Sequence, residues 1–315
     1  MTATNHRRAS HGHTGNGHTS HGHTSHPYLT ALGAAACFSG NIVVGRAMQG
    51  VIPPFALTFW RWSVVVLVLL PFTAATLWRH RLVIRRHWPA LVALGCGSVT
   101  LYNGFFYLGV QHSSAINGAL ITSSMPLTIA LCAWVFAREP ISPRQWIAIA
   151  LSLFGIVAIL ARGDPAAVLG VHFRGADLWL LAASLCWALY SVLLRRSPAE
   201  LNGLPFLCLT SAAGVIATMP AYLWERASGA TMAVTPASLG AIAFLALVPA
   251  LSAYFLYARA VLALGPTRTG IFLNLSPVFA IAAASLFLGE RLHGHHLFGV
   301  AMITLALLLN SRRDH

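Results

Sequence analysis

Long uninterrupted apolar segments dominate this sequence from Tyr28 onward, each close to the roughly 20 residues that an α-helix needs to cross a bilayer. Charged residues make up 9% of the chain and hydrophobic residues 57%, whereas a soluble domain typically carries about 25% charged residues. Lipid offers no partner to backbone N–H and C=O groups, and these segments lack the alternating polarity of barrel strands. The sequence therefore predicts an all-α polytopic membrane protein and excludes an ordinary soluble enzyme.

Ten such segments follow one another, and we refer to them as spans 1 to 10. Their predicted bounds are Tyr28–Met48, Phe55–Trp78, Trp88–Val110, Ala115–Ala137, Gln145–Ala161, Leu178–Leu194, Leu204–Trp224, Leu239–Ala258, Thr269–Leu288 and His296–Asn310.

The first 27 residues have a different composition. They hold seven histidines, repeated Gly-His-Thr triplets and almost no apolar side chain. Such a segment cannot offset its chain entropy by burial, so we predict that residues 1–27 are a disordered His-rich tail in the cytoplasm. Imidazole binds zinc, copper and nickel, which leaves a metal-binding role open beside that of a solvated extension.

Arginine placement predicts the orientation of the chain. All 20 basic residues are arginines, and 14 of them lie in the tail, the C-terminus or the connections on one side, against four on the other. By the positive-inside rule, this predicts a multi-pass protein of the inner (plasma) membrane with both termini cytoplasmic. The net charge of +13 therefore indicates topology, and the expected partner is the lipid bilayer rather than nucleic acid.

Spans 4 and 9 share a pattern that indicates an internal repeat. Pro126 precedes Glu139 by thirteen residues, and Pro277 precedes Glu290 by the same interval. The chain thus divides into two related halves of five spans, residues 28–162 and 176–310. Five is an odd number, so the second half crosses the membrane in the opposite sense. Inverted repeats are typical of transporters, which place a substrate site near the bilayer midplane between the halves.

These features resemble the EamA family of the drug/metabolite transporter superfamily. In spans 4 and 9 the resemblance lies in Ile121–Pro126 with Arg138–Pro140 and in Asn274–Pro277 with Leu288–Arg291; in spans 1 and 2 it lies in Gly40–Asn41 with Arg46 and in Pro53–Pro54 with Arg61. Phe38 stands where the family usually has Trp, whereas span 6 keeps Trp187. The resemblance implies an exporter of amino acids and other small metabolites, with a cavity lined by spans 1, 3, 4, 6, 8 and 9.

Arg61 is the most informative single residue because it lies about two turns inside span 2. A central arginine costs about 2.5–3.5 kcal/mol on insertion scales. Its guanidinium binds carboxylate or phosphate bidentately, so one interpretation is an anchor for an anionic substrate group. In the other interpretation, the side chain reaches the outer interface beside Trp60 and Trp62 or pairs with a backbone carbonyl.

Uncharged polar and aromatic side chains inside the spans complete the predicted substrate site. Amides and phenols in a bilayer need partners, so they should face a wet cavity suited to a small zwitterion or amphipathic solute, or bond helix to helix. Pro126 and Pro277 are the predicted gating positions because proline weakens a helix locally. The predicted substrate-binding residues are Asn41, Arg61, Tyr102, Asn103, Trp187, Tyr190, Tyr254 and Asn274.

The acidic residues fall in loops or at helix ends, and the sequence has no nucleotide-binding P-loop. We therefore predict facilitated transport of a small-molecule substrate, without a cofactor, a metal site or enzymatic activity. A divalent-metal exporter that uses the His-rich tail is the alternative function. An intramembrane hydrolase would depend on His112 beside Ser113 and Ser114. A monomer and a homodimer both remain open.

Overall fold

The computed structural model describes residues 27–48, 50–112, 115–161, 175–288 and 294–311. The predicted tail, residues 1–27, lies outside these ranges except for Pro27. The connection 289–293, which carries Glu290 of the repeat motif, also lies outside them.

Within these ranges the chain forms ten helical units in the predicted order. In the first half, span 1 is Pro27–Ala47, span 2 is Pro54–Arg79, span 3 joins Arg81–Gly95, a π-helical Cys96–Leu101 and Tyr102–His112, span 4 is Ala115–Ser123 with Met125–Ala137, and span 5 is Pro143–Ala161. In the second half, span 6 is Asp177–Leu193, span 7 is Leu204–Ala227, span 8 joins Pro236–Leu245, a π-helical Ala246–Ser252 and Ala253–Leu264, span 9 is Pro266–Phe272 with Leu275–Leu288, and span 10 is Gly294–Ser311.

Seven of these units, spans 1, 2, 3, 5, 6, 7 and 8, are long and apolar enough to cross a membrane. Met125–Ala137 of span 4 and Gly294–Asn310 of span 10 are apolar but shorter. Large apolar side chains cover the outside, as Leu67 and Phe72 of span 2 show with exposed fractions of 68% and 76%. A surface of this kind requires lipid. The protein is all-α and polytopic, built as two inverted five-helix repeats.

The breaks within spans occur at matching places in the two halves. Span 4 is interrupted at Ser124 and span 9 just before Leu275, whereas the sequence predicts one continuous helix for each. Pro126 and Pro277 then lie in the first turn of the helix that restarts, where a missing N–H costs no hydrogen bond. Spans 3 and 8 each contain one π-helical segment near the middle.

The packing of the spans follows a twofold pattern. Span 2 packs along span 7, and span 5 along span 10. Span 1 packs against spans 8 and 9, and span 6 against spans 3 and 4. Exchanging each span with its counterpart in the other half leaves this set of contacts unchanged. The two halves are therefore interleaved, and each helps to bury the other.

Spans 5 and 10 approach most closely at two glycines. A Cβ atom added to Gly155 would lie 2.7 Å from the carbonyl oxygen of Gly299, and one added to Gly299 would lie 2.5 Å from that of Gly155. Ala148 and Ala306, which are both fully buried, pack in one cluster along the same pair of spans. Small residues allow two backbones to meet in lipid, where no hydrophobic effect drives helices together.

The two halves are also joined at the place where span 2 begins and span 7 ends. The first amides of a helix have no partner within it, and those of span 2 point at the carboxylate of Glu225 near the end of span 7. Phe55 donates its N–H to Oε1 at 3.1 Å, and Ala56 donates to Oε2 at 2.7 Å. A negative charge at a helix N-terminus is also favoured by the helix dipole. Glu225 therefore serves as a cap supplied by the other repeat.

We predict that Gly155→Ala lowers the stability of the folded protein by about 1–3 kcal/mol, because the new methyl group would overlap the backbone of span 10. Gly240→Ala is the matched control, since a Cβ there meets nothing within 4 Å. The measurement is the thermal unfolding midpoint in detergent. Equal midpoints for the two variants would show that the glycine contact contributes nothing.

Candidate functional site

Arg61 lies in the interior of the protein, with an exposed fraction of 3%. Its Nη1 donates to Oδ1 of Asn41 in span 1 at 3.0 Å, and its Nη2 donates to Oδ1 of Asn103 in span 3 at 2.6 Å. Of the two interpretations of this residue, the structure shows the inward orientation, not the one toward the outer interface. The guanidinium thus ties together three spans of the first half.

The π-helical segment of span 3 fixes the orientation of Asn103. A π-helix leaves carbonyl groups without their usual i+4 donors. The amide nitrogen of Asn103 donates to the carbonyls of Ser98 at 3.2 Å and Val99 at 2.7 Å. With Nδ2 committed to these oxygens, Oδ1 must face Arg61. The hydroxyl of Tyr254 in span 8 donates to the Ser98 carbonyl at 3.1 Å, which brings the second half into the same network.

Two buried donors in this region have no hydrogen-bond partner among the described residues, Nε of Arg61 and the indole nitrogen of Trp62. The guanidinium carbon of Arg61 lies 5.7 Å from the centre of the Trp62 ring. Within the part of the chain that the structure describes, Arg61 forms no ion pair. A buried cation held only by two neutral amide oxygens retains the capacity to bind an anion.

An aromatic cluster lies beside Arg61 and is centred on Trp187 of span 6. The ring centroids of its neighbours lie 5.0–5.6 Å from that of Trp187, and Trp62 joins through Tyr254 at 4.7 Å. Most of these rings are almost fully buried, but Phe38 and Tyr102 retain accessible surface. The aromatic cluster consists of Phe38, Trp62, Tyr102, Trp187, Tyr190, Tyr254 and Tyr257.

Most of the residues predicted for the substrate site are brought together by this arrangement. Asn41, Arg61 and Asn103 form the polar part, and Tyr102, Trp187, Tyr190 and Tyr254 belong to the aromatic cluster. Asn274 lies elsewhere, where its amide donates to the hydroxyl of Ser152 in span 5 at 3.1 Å. Asn274 therefore forms a hydrogen bond between two helices. This is the role that the sequence left open for each polar residue beside that of lining a cavity.

Four contributors were not among the predicted site residues: Phe38, Trp62, Tyr257 and Ser98. Trp62 follows Arg61 directly, and an aromatic residue next to a buried cation is a usable signal. Tyr257 lies one helical turn after Tyr254, and its hydroxyl bonds to that of Ser191 at 2.7 Å. Ser98 acts only through its backbone carbonyl, and nothing in its side chain indicates that role.

Metal-ligand side chains do not gather in the described part of the chain. There, no group of three or more His, Cys, Asp or Glu side chains could hold an ion. All five cysteines are free thiols. The His-rich tail lies outside the described residues.

We predict that Asn103→Ala destabilises the protein by about 1–3 kcal/mol, because it removes the acceptor of the Arg61 Nη2 and the side-chain donor to the carbonyls of Ser98 and Val99. Asn202→Ala, at an exposed position between spans 6 and 7, is the matched control. Thermal unfolding in detergent measures the difference. Identical midpoints would contradict a structural role for the Asn103 amide.

Comparison with known proteins agrees with this architecture. A solved crystal structure superposes with a TM-score of 0.74 at 19% sequence identity, covering 90% of this chain and 96% of the other, which shows a shared fold. The chain is similar to the uncharacterized transporter YyaM of Bacillus subtilis, with 23% identity across 90% of this chain and 93% of YyaM. It is also similar to the uncharacterized transporter YetK of the same organism, with 25% identity across 88% of this chain and 84% of YetK.

An uncharacterized transporter of Archaeoglobus fulgidus is 23% identical across 88% of this chain and 94% of its own length. The sequence matches the EamA-like transporter family twice, over residues 26–161 and again over residues 174–312. These matches together cover most of the chain, with one family unit for each half. The protein is a multi-pass membrane transporter and belongs to the EamA-like transporter family.

Proposed function

We propose that this transporter exports small metabolites that carry a carboxylate, above all amino acids, and that Arg61 binds the carboxylate. The observation that carries the proposal is the buried guanidinium of Arg61, which is held by two amide oxygens and has an unpartnered Nε. A cation in a low-dielectric interior is stabilised by an anion. A carboxylate is also the group that the planar guanidinium binds in bidentate fashion.

The aromatic cluster supports an amphipathic or zwitterionic substrate. Ring faces attract an ammonium group, and ring surfaces pack against an apolar side chain. Phe38 and Tyr102 are the members that keep accessible surface, and Tyr102 lies directly before Asn103 in span 3. A free amino acid offers a carboxylate for Arg61 and an ammonium for the rings. Asn41, Arg61, Tyr102, Asn103, Trp187, Tyr190 and Tyr254 are thus the proposed substrate-binding residues.

Alternating access between the two halves is the proposed mechanism. Inverted repeats allow one half to rock against the other around a central site. The interleaved packing of spans 1 and 6 with the opposite half provides the surface on which this movement occurs. The helix breaks before Pro126 and Pro277 are the proposed hinges, because i→i−3 hydrogen bonds replace part of the regular α-helical pattern there.

The proposed driving force for transport is the concentration gradient of the substrate itself, as in facilitated diffusion. Glu139, Asp177, Glu200 and Glu225 are the acidic residues in the described ranges, and each lies at or near the end of a span. Proton-coupled carriers commonly use a carboxylate at bilayer depth, whereas these four carboxylates lie at or near the ends of spans.

Transport by the purified protein tests the proposal. Proteoliposomes should equilibrate labelled leucine faster than empty liposomes, and leucinol, which lacks the carboxylate, should gain little. Arg61→Gln should lower the rate at low leucine concentration by about tenfold or more, since a hydrogen bond to a charged group contributes about 1.5–3 kcal/mol. No acceleration with any labelled amino acid would contradict the proposal.

Asn41→Asp separates binding from folding in the same assay. The new carboxylate would lie within hydrogen-bond distance of Arg61 Nη1, where the Asn41 oxygen is now 3.0 Å away. It should occupy the guanidinium permanently, so the protein should keep its thermal stability and lose leucine transport. Transport equal to that of the wild type would show that Arg61 does not bind the substrate.

The proposed location is the inner membrane with both termini cytoplasmic. The test is a pair of fusions at the C-terminus, one to a fluorescent protein that folds only in the cytoplasm and one to a phosphatase active only outside it. We expect fluorescence and no phosphatase activity, and the same pair at the N-terminus should agree. Termini on opposite sides would require an odd number of spans.

A further inference from the structure

An ion pair joins the two repeats at the predicted cytoplasmic ends of spans 4 and 6. Nη1 of Arg195 donates to Oε1 of Glu139. The neighbouring Arg196 donates from Nη2 to the carbonyl of Phe136 at 2.9 Å. Glu139 and Phe136 belong to the first half and both arginines to the second. These contacts must break before the halves can separate on this side.

The backbone holds Glu139 in place at a sharp corner. Arg138 has φ +55°, a left-handed conformation that is unfavourable for a residue with a side chain. This turn ends span 4, and the Glu139 N–H bonds back to the Ala133 carbonyl at 3.2 Å. Three residues later, Ser142 and Gln145 cap the start of span 5 reciprocally, at 2.8 and 3.3 Å. The left-handed cap of span 4 and the reciprocal cap of span 5 together hold Glu139 at a fixed place between the two helices.

An open pocket of about 460 Å³ lies at this corner. Both members of the ion pair line it, together with Ser142, Gln145, Gly265 and Arg268. Its volume falls within the roughly 300–1,000 Å³ that is usual for small-molecule sites. The pocket is reached from the side that faces the cytoplasm in the predicted topology. Its walls come from both halves, as those of a mouth between them should.

We propose that this pocket is a capture site in which the carboxylate of the cargo replaces Glu139 on Arg195. The proposal rests on the proposed function, because it requires a cargo with a carboxylate. The side chains of Arg195 and Glu139 are 46% and 31% exposed, so the pair is weak enough for a solute to compete. The exchange leaves Arg195 paired and Glu139 in water. It also removes the tie between spans 4 and 6 when cargo is present.

The test uses two substitutions that break the same ion pair. Glu139→Gln removes the competitor, so the half-saturating leucine concentration on the Arg195 side should fall. Arg195→Gln removes the capturing group, so that concentration should rise. Each change should be about twofold to fivefold, the size that an exposed ion pair supports. Glu200→Gln, which alters the same charge at an exposed site on the same side, is the control and should change nothing.

The directions of the two shifts distinguish a capture site from an ion pair that only holds the two halves together. If the ion pair only held the halves together, both substitutions would shift the half-saturating concentration the same way. That result would overturn the proposal, and so would the absence of a shift in both variants. The double variant Glu139→Gln/Arg195→Gln should behave like Arg195→Gln. Equilibrium binding of labelled leucine to the full-length protein in nanodiscs provides the second readout. Wild-type protein that neither binds nor moves leucine would overturn the proposed function as well; wild-type transport with the wrong directions would overturn the capture site alone.

Discussion

Lipid cannot hydrogen-bond, so a chain in a bilayer must satisfy its own polar groups, and this constraint shapes the whole structure. At two places where the regular helical hydrogen bonds are missing, side chains from elsewhere in the fold supply partners. The carbonyls released by the π-helical segment of span 3 are bound by Asn103 and Tyr254. The first amides of span 2 are bound by Glu225 of span 7. These compensating groups join different spans, so local irregularities become links of the tertiary structure.

A series of such hydrogen bonds connects Arg61 in the first half to the second half. Its position depends on Asn103, whose amide orientation depends on the two carbonyls of the π-helical segment. One of those carbonyls also binds Tyr254, a member of the aromatic cluster from the other half. A movement of span 8 relative to span 3 would therefore reach the guanidinium through two hydrogen bonds. The candidate site is thereby connected to the interface on which the repeats would rock.

The two repeats share architecture but differ in chemistry. Their helix breaks, π-helical segments and packing partners correspond. Alignment of Pro54 with Pro205 places Ala212 opposite Arg61, so the equivalent position of the second half holds no cation. Phe38 and Trp187 occupy matching positions and meet edge to face with centroids 5.6 Å apart. A symmetric scaffold thus carries an asymmetric candidate site.

The sequence by itself determined the number and order of the spans, because the length and hydropathy of each segment are local properties. It also identified Asn41, Asn103 and the tyrosines as polar groups that should face inward, since lipid excludes them, but it left open whether Arg61 faces the interior or the outer interface. Only the tertiary structure decided which partners they meet: Asn274 bonds to Ser152 rather than joining Arg61, because span 9 packs its break against span 5. The π-helical segments, the carbonyl of Ser98 and the cap from Glu225 were equally beyond the sequence. Each depends on backbone geometry or on a contact between distant residues, and neither leaves a periodic mark in the chain.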